Sequence, residues 1–195
     1  MVDLIENLNG PIIKPCSLET FAYQFDPYIG CEHGCKYCYT LNQNNAKNSE
    51  RILMCRNLVK RLHHELTPLP AQTIYIGMDT DPYQPCERIY RQTRQALEVF
   101  SEYHFSACIL TKSDLIVRDI DLLKTMPSSS VGTSIAFLDE EVRQLFEAKS
   151  PPNERRIDAL RILKEAGIDT YVLITPVMPF FTEPEELIDM VAPFA

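Results

Sequence analysis

Cys31-Glu32-His33-Gly34-Cys35-Lys36-Tyr37-Cys38-Tyr39 spaces three cysteines by three residues and then by two. Gly30 stands just before them and Gly34 between them, where glycine permits positive φ and close backbone approach. Three thiolates from one loop suit a metal or cluster that keeps a coordination position open. This spacing, with aromatic Tyr37 ahead of the third cysteine, points to a [4Fe–4S] cluster held at three of its irons. A closed zinc site is the alternative, with Cys16, Cys55 or His33 as fourth ligand. Structural zinc loops usually pair one CxxC with a second, and this chain has no second pair.

Working outward, Phe21–Phe25 alternates like a short strand and ends at Asp26-Pro27. Residues 1–18, with Asn-Gly-Pro and Lys-Pro, are expected to form an irregular lead-in. Residues 40–50 are polar and Asn-rich and are expected to continue the cysteine loop. From about Leu53 to Leu66 the apolar positions Leu58, Val59, Leu62 and Leu66 keep a helical period, which Pro68 and Pro70 stop. Four more strands are expected at Thr73–Gly77, Phe105–Leu110, Val131–Phe137 and Asp169–Pro176. They alternate with helices over about Arg88–Ser101, Asp119–Met126, from Asp139 onward, Glu154–Ala166 (with Gly167 as C-cap) and Glu183–Val191. Repeated β-loop-α units imply an α/β fold of parallel strands with crossover helices. Ligands then gather at the C-terminal ends of the strands. The cysteine loop, Asp79-Thr80-Asp81, Thr111-Lys112-Ser113 and Pro176 are expected to face one mouth.

The chain has 195 residues, enough for one domain with a sizeable core. Seven cysteines, an odd number, occur without an export signal, which argues for reduced thiols or metal ligation over a disulfide framework. No apolar run reaches the roughly 18 residues of a membrane span. A cytoplasmic protein with no membrane partner is expected. A net charge of −8 counts against an extended nucleic-acid footprint. Arg51, Arg56, Lys60 and Arg61, and again Arg88, Arg91 and Arg94, read as solvated helix faces.

Beyond the loop, the stretches Tyr28–Tyr39, Gly77-Met-Asp-Thr-Asp-Pro-Tyr-Gln-Pro85, Leu110-Thr-Lys-Ser113, Arg118-Asp119, Ser134-Ile135 and Arg156 ahead of Gly167-Ile168 carry a likeness. With them the chain resembles the radical SAM superfamily, in which CxxxCxΦC binds a cluster whose free iron chelates S-adenosylmethionine (SAM). Within it, the chain looks most like the spore photoproduct lyase-like branch. The resemblance implies a single radical SAM core domain over residues 1–195, built as a partial (β/α) TIM-like barrel with outer helices. Six parallel strands are expected of the family and five are counted, so either the chain is truncated or the sixth strand is missing.

The resemblance also implies roles. Cys31, Cys35 and Cys38 would hold the [4Fe–4S] cluster, and SAM would be the second cofactor. Asp79, Thr80, Asp81 and Ser134 would face the sulfonium and the amine of SAM. Lys112 and Arg156 would face its carboxylate, arginine being suited to two-point binding. Tyr37 and Tyr39 match a catalytic tyrosine pair that joins a radical relay in the lyases, with Tyr37 also shielding the cluster. The hydrogen-donating cysteine of the lyases has no match, since Met78 and Asp79 occupy its place. That speaks against lyase activity on a thymine dimer. An electron donor such as flavodoxin or ferredoxin is the implied partner, and the family leaves room for a nucleic-acid-related substrate. Read without the resemblance, Asp81 before Pro82 starts a turn, Lys112 and Arg156 are solvated charges, and Ser134 and Tyr39 are core residues.

Overall fold

The computed structural model describes residues 2–5, 10–40 and 51–195. The expected continuation of the cysteine loop at 41–50 lies outside the described residues. Strands β1 (Val2–Ile5), β2 (Ile13–Pro15), β3 (Tyr23–Phe25), β4 (Tyr28–Ile29) and β5 (Ile52–Cys55) open the chain, followed by helix α1 (Leu58–Leu66) and β6 (Thr73–Ile76). Helices α2 (Glu87–Tyr90) and α3 (Gln92–Glu102) lead to β7 (Ser106–Leu110). A 3-10 turn (Asp114–Asp119) runs into α4 (Ile120–Leu123), then β8 (Ser130–Ser134), α5 (Glu140–Glu147), α6 (Asn153–Glu165), β9 (Asp169–Leu173) and α7 (Pro184–Val191).

The main sheet has the order β2-β3-β6-β7-β8-β9. β3, β6, β7, β8 and β9 run parallel, and β2 joins β3 antiparallel. This is a mixed α/β fold with a parallel sheet. Among the described residues no strand pairs with the outer edge of β9. The core forms where one face of the strands (Ile74, Ile76, Ala107, Ile109, Val131) meets the helices. Leu58, Leu62 and Leu66 of α1 lie one helical turn apart and are buried there with Leu97 and Phe100 of α3 and Leu163 of α6. Capping follows local chemistry: the Asp139 carboxylate accepts the N–H groups of Glu141 (2.7 Å) and Val142 (3.2 Å) at the start of α5.

Three sequence expectations change. The lead-in is not irregular: Val2–Ile5 pairs parallel with β5, and Ile13–Pro15 adds an edge to β3. The helix expected from Leu53 starts at Leu58, because Ile52–Cys55 is drawn into a three-stranded sheet between β1 and β4. Pairing on both edges outweighs a weak local preference. The helix expected over 88–101 breaks at Arg91, whose φ is +52°. The break is closed by Glu87, whose buried carboxylate accepts the N–H groups of Thr93 (3.0 Å) and Arg94 (3.3 Å) at the start of α3.

Candidate active site

The C-terminal ends of the parallel strands share one cavity of about 330 Å³. Gly77 follows β6, Leu110 ends β7 with Thr111-Lys112 after it, Ser134 ends β8, and Thr175-Pro176 follow β9. The loop after β4 supplies Cys31, His33, Cys35, Tyr37, Cys38 and Tyr39 to the same wall, and Met78–Asp81 complete it. The three cysteines are thus brought together with Tyr37, Tyr39, Asp79, Thr80, Asp81, Lys112 and Ser134. Arg156 does not line the cavity.

The loop is held mainly through its backbone. Gln84 Oε1 accepts the Glu32 N–H (2.8 Å), while Gln84 Nε2 donates to the Gly30 carbonyl (3.2 Å). The Glu32 carboxylate accepts the Cys86 N–H (2.6 Å), and the Lys36 N–H donates to the Phe146 carbonyl (2.9 Å). Gly30 (φ +90°) and Gly34 (φ +55°) supply the left-handed turns. Among the cysteine side chains, Cys31 meets the backbone of Asp81 and His33, and Cys38 Sγ lies 3.0 Å from Thr40 Oγ1. Burial pushes the Cys31 thiol up to about 12 and the Cys35 thiol up to about 11. They become thiolates when a cation takes the place of their protons.

Among the described residues no three His, Cys, Asp or Glu side chains converge as a single metal ion requires. Three thiols spread along one cavity wall fit a cluster better, because each ligates a different iron. The donor set therefore fits an iron–sulfur group.

Several residues expected to touch SAM serve the loop. The Thr80 hydroxyl donates to the Gly30 carbonyl (2.5 Å) and accepts from Gln84. Asp81 accepts from the Thr111 hydroxyl (2.6 Å) and from the N–H groups of Lys112 (2.8 Å) and Tyr83 (2.9 Å), and stands 3.3 Å from His33 Nε2. Burial alone would raise its pKa. The His33 imidazole and these donors overcome that and hold Asp81 well below the usual carboxylate range. His33 in turn places Nδ1 3.2 Å from the Lys149 carbonyl. Arg156 lies behind the loop, 1% exposed, with its guanidinium 2.5 Å from Glu147.

The cavity keeps other groups available. Lys112 Nζ sits 5.7 Å from the Tyr37 ring centre and has no ion pair among the described residues. Asp79 accepts the Tyr39 hydroxyl (2.9 Å), which also reaches the Met78 carbonyl (2.7 Å). The Ser134 hydroxyl donates to the Thr175 carbonyl (3.0 Å) and can still accept. The roles of Glu147 and Gln84 were not singled out from the sequence, because their contacts with the cysteine loop reach 110 and 52 residues along the chain.

Asp26 sits behind Asp79 and accepts its N–H (3.0 Å). Burial above all, with the neighbouring Asp79 charge adding to it, raises its carboxyl from 3.8 to about 6. The folded chain therefore binds an extra proton between these values, and stability falls as pH rises through that window. Asp26→Asn is expected to flatten this fall, read from urea midpoints at acid and neutral pH. An unchanged slope would dismiss Asp26 as its source.

The profile of the radical SAM superfamily matches residues 26–192. An uncharacterized protein of Methanocaldococcus jannaschii is 34% identical over 93% of this chain and 70% of its own length. A radical SAM Nalpha-GlyT isomerase of Pseudomonas phage M6 is 27% identical over 87% of this chain and 36% of its own. Among solved structures, spore photoproduct lyase complexed with dinucleoside spore photoproduct superposes with a TM-score of 0.72 at 16% identity, over 90% of this chain and 52% of that one. A double mutant of the lyase with bound AdoMet and dinucleoside spore photoproduct gives 0.71 at 17% identity, over 89% of this chain and 51% of that one. The chain thus spans about half the length of the lyases. No described helix is long and apolar enough to cross a membrane.

Proposed function

The chain belongs to the radical SAM superfamily and is an enzyme of that class, and from this premise we propose that Cys31, Cys35 and Cys38 hold a [4Fe–4S] cluster whose fourth iron chelates SAM. The observation that carries this is the presence of all three thiols, Lys112 and Asp79 on one wall at the strand ends. When bound, the cluster supplies the electron that cleaves SAM reductively to a 5′-deoxyadenosyl radical. The chain's own residues bind, orient and shield.

Lys112, a cavity cation that makes no direct ion pair among the described residues, pairs with the methionyl carboxylate. Asp79 and the Ser134 hydroxyl take the amine and the sulfonium side. Thr80, Asp81 and Arg156 act by holding the loop, since their polar atoms already have partners. Tyr39, half-exposed at the mouth, is the tyrosine positioned to meet a substrate. The Tyr37 hydroxyl is turned to Glu147. The chain is read as one radical SAM core domain, a partial TIM-like barrel with five parallel strands in its main sheet among the described residues. Because a solved neighbour is complexed with a dinucleoside photoproduct, a small nucleic-acid fragment is the first substrate class to test. The net charge of −8 disfavours a long duplex footprint. A flavodoxin or ferredoxin delivers the electron.

Anaerobic reconstitution followed by addition of SAM and a chemical reductant tests the assignment. A brown protein that releases 5′-deoxyadenosine is expected. A colourless protein with one zinc would make it a metal-binding interaction module. Iron retained without SAM cleavage under any reductant would make it an inactive barrel. Either result overturns the proposal.

A further inference from the structure

Behind the cysteine loop lies an ion pair with no solvent contact at either side chain: Arg156 and Glu147, 2.5 Å apart. A buried pair gains little stability over well-packed apolar residues of similar volume. Here each end is tied to a different wall of the cavity. The Tyr37 hydroxyl donates to Glu147 Oε1, which links the carboxylate to the residue just before Cys38. Arg156 Nη1 donates to the Ser134 carbonyl (2.8 Å) at the end of β8, and Nε to the Pro151 carbonyl (2.8 Å). Ser150 Oγ accepts from Arg156 Nη2 (2.6 Å) and lies 3.2 Å from Glu147 Oε2. The α5 end is fixed in turn by Arg143, which donates to the carbonyls of Glu147 (3.0 Å) and Ser150 (3.1 Å). Around the Tyr37 ring stand Phe137, 6.2 Å between centres, and Lys112.

We propose that Glu147 and Arg156 are positioning residues: through the Tyr37 hydroxyl they set the place of Cys38 and the Tyr37 ring against the Ser134 edge of the sheet. Tyr37 is then a fixed wall of the cofactor cavity and not a radical carrier. The inference rests on the cluster assignment above. It predicts that a single hydroxyl, on a residue that ligates no iron, governs how firmly the cluster is held.

The test uses the anaerobically reconstituted protein and its Tyr37→Phe, Glu147→Gln, Arg156→Met and Arg156→Lys variants. Iron release to a chelator is timed well below every variant's thermal midpoint. The EPR spectrum of the reduced cluster is recorded before and after adding SAM. Tyr37→Phe is expected to release iron about tenfold faster, the scale of a lost hydrogen bond to a buried charge, and to alter the EPR change produced by SAM. Arg156→Lys, which keeps the charge, is expected to recover part of what Arg156→Met loses. If Glu147→Gln fails to fold, Tyr37→Phe carries the test, because it leaves the ion pair in place. Wild-type release rates and EPR spectra in Tyr37→Phe would overturn the inference while leaving the cluster assignment standing. A wild-type protein that retains no iron would overturn both.

Discussion

Replacing Cys35 by alanine is expected to abolish iron retention and to lower reductant-driven SAM cleavage by at least about a thousandfold. That loss lies well inside the acceleration of about a millionfold or more that enzymes supply. Cys35 is buried at 7% exposure in the cavity wall, yet the hydrogen bonds that shape the loop run through other atoms. The Cys38 N–H donates to the Cys35 carbonyl (3.0 Å), and Lys36, Glu32 and Gly30 are anchored to α5 and to Gln84. Alanine keeps all of these. Removing one sulfur from a buried site costs only about 1 kcal/mol, so folding should survive while the chemistry disappears. Circular dichroism and thermal denaturation of the metal-free protein separate the two effects. Cys108→Ala is the control, because Cys108 lies in β7 beside Tyr171 and not in the cavity wall. Equal iron content in Cys35→Ala and the wild type would remove the cysteine loop from the active site.

The second large effect is on stability. Gly77→Ala is expected to destabilise the chain by about 3 kcal/mol, from overpacking together with backbone strain. Gly77 follows β6 at the cavity with φ +100°. A Cβ there would overlap the carbonyl oxygen of Leu110 on the neighbouring strand and stand 3.1 Å from Pro82 Cδ. Backbone cannot swing aside as a side chain can, so β6 or β7 must shift, and the cavity with them. The thermal midpoint should fall by roughly 6–12 °C for a chain of this size. Gly167→Ala isolates the steric part. Gly167 has φ +83° but nothing within 4 Å of an added Cβ, so it should lose only about 1 kcal/mol to the strained backbone. A cost at Gly77 no greater than at Gly167 would show that the close approach to Leu110 is relieved cheaply.

How much was legible in the sequence depends on how local each signal is. The five parallel strands and the helix ends at Asp139 and Gly167 could be read because each pattern spans only a few neighbours. The β1, β2 and β5 strands could not, since their identity comes from pairing. Val2–Ile5 is a strand only because it meets Ile52–Cys55 some 50 residues later. The break at Arg91 depends in the same way on Glu87 turning back to cap α3.

The site divides along the same line. Three cysteines and an aromatic within one loop determined the family and pointed to the class of cofactor, because ligand spacing on a short loop is a local property. Alternation of strands and helices led Asp79 and Lys112 to be expected beside those cysteines, and the resemblance added Ser134. Only the tertiary structure decided which polar groups face the cavity and which hold it up. Lys112 and Arg156 were both read as cations for one carboxylate, yet burial in a direct ion pair with Glu147 takes Arg156 out of the cavity, while Lys112 lines the cavity and makes no direct ion pair among the described residues. Tyr37 and Glu147 lie 110 residues apart, and a charge's role is set by the partner that burial forces on it, which no local pattern encodes.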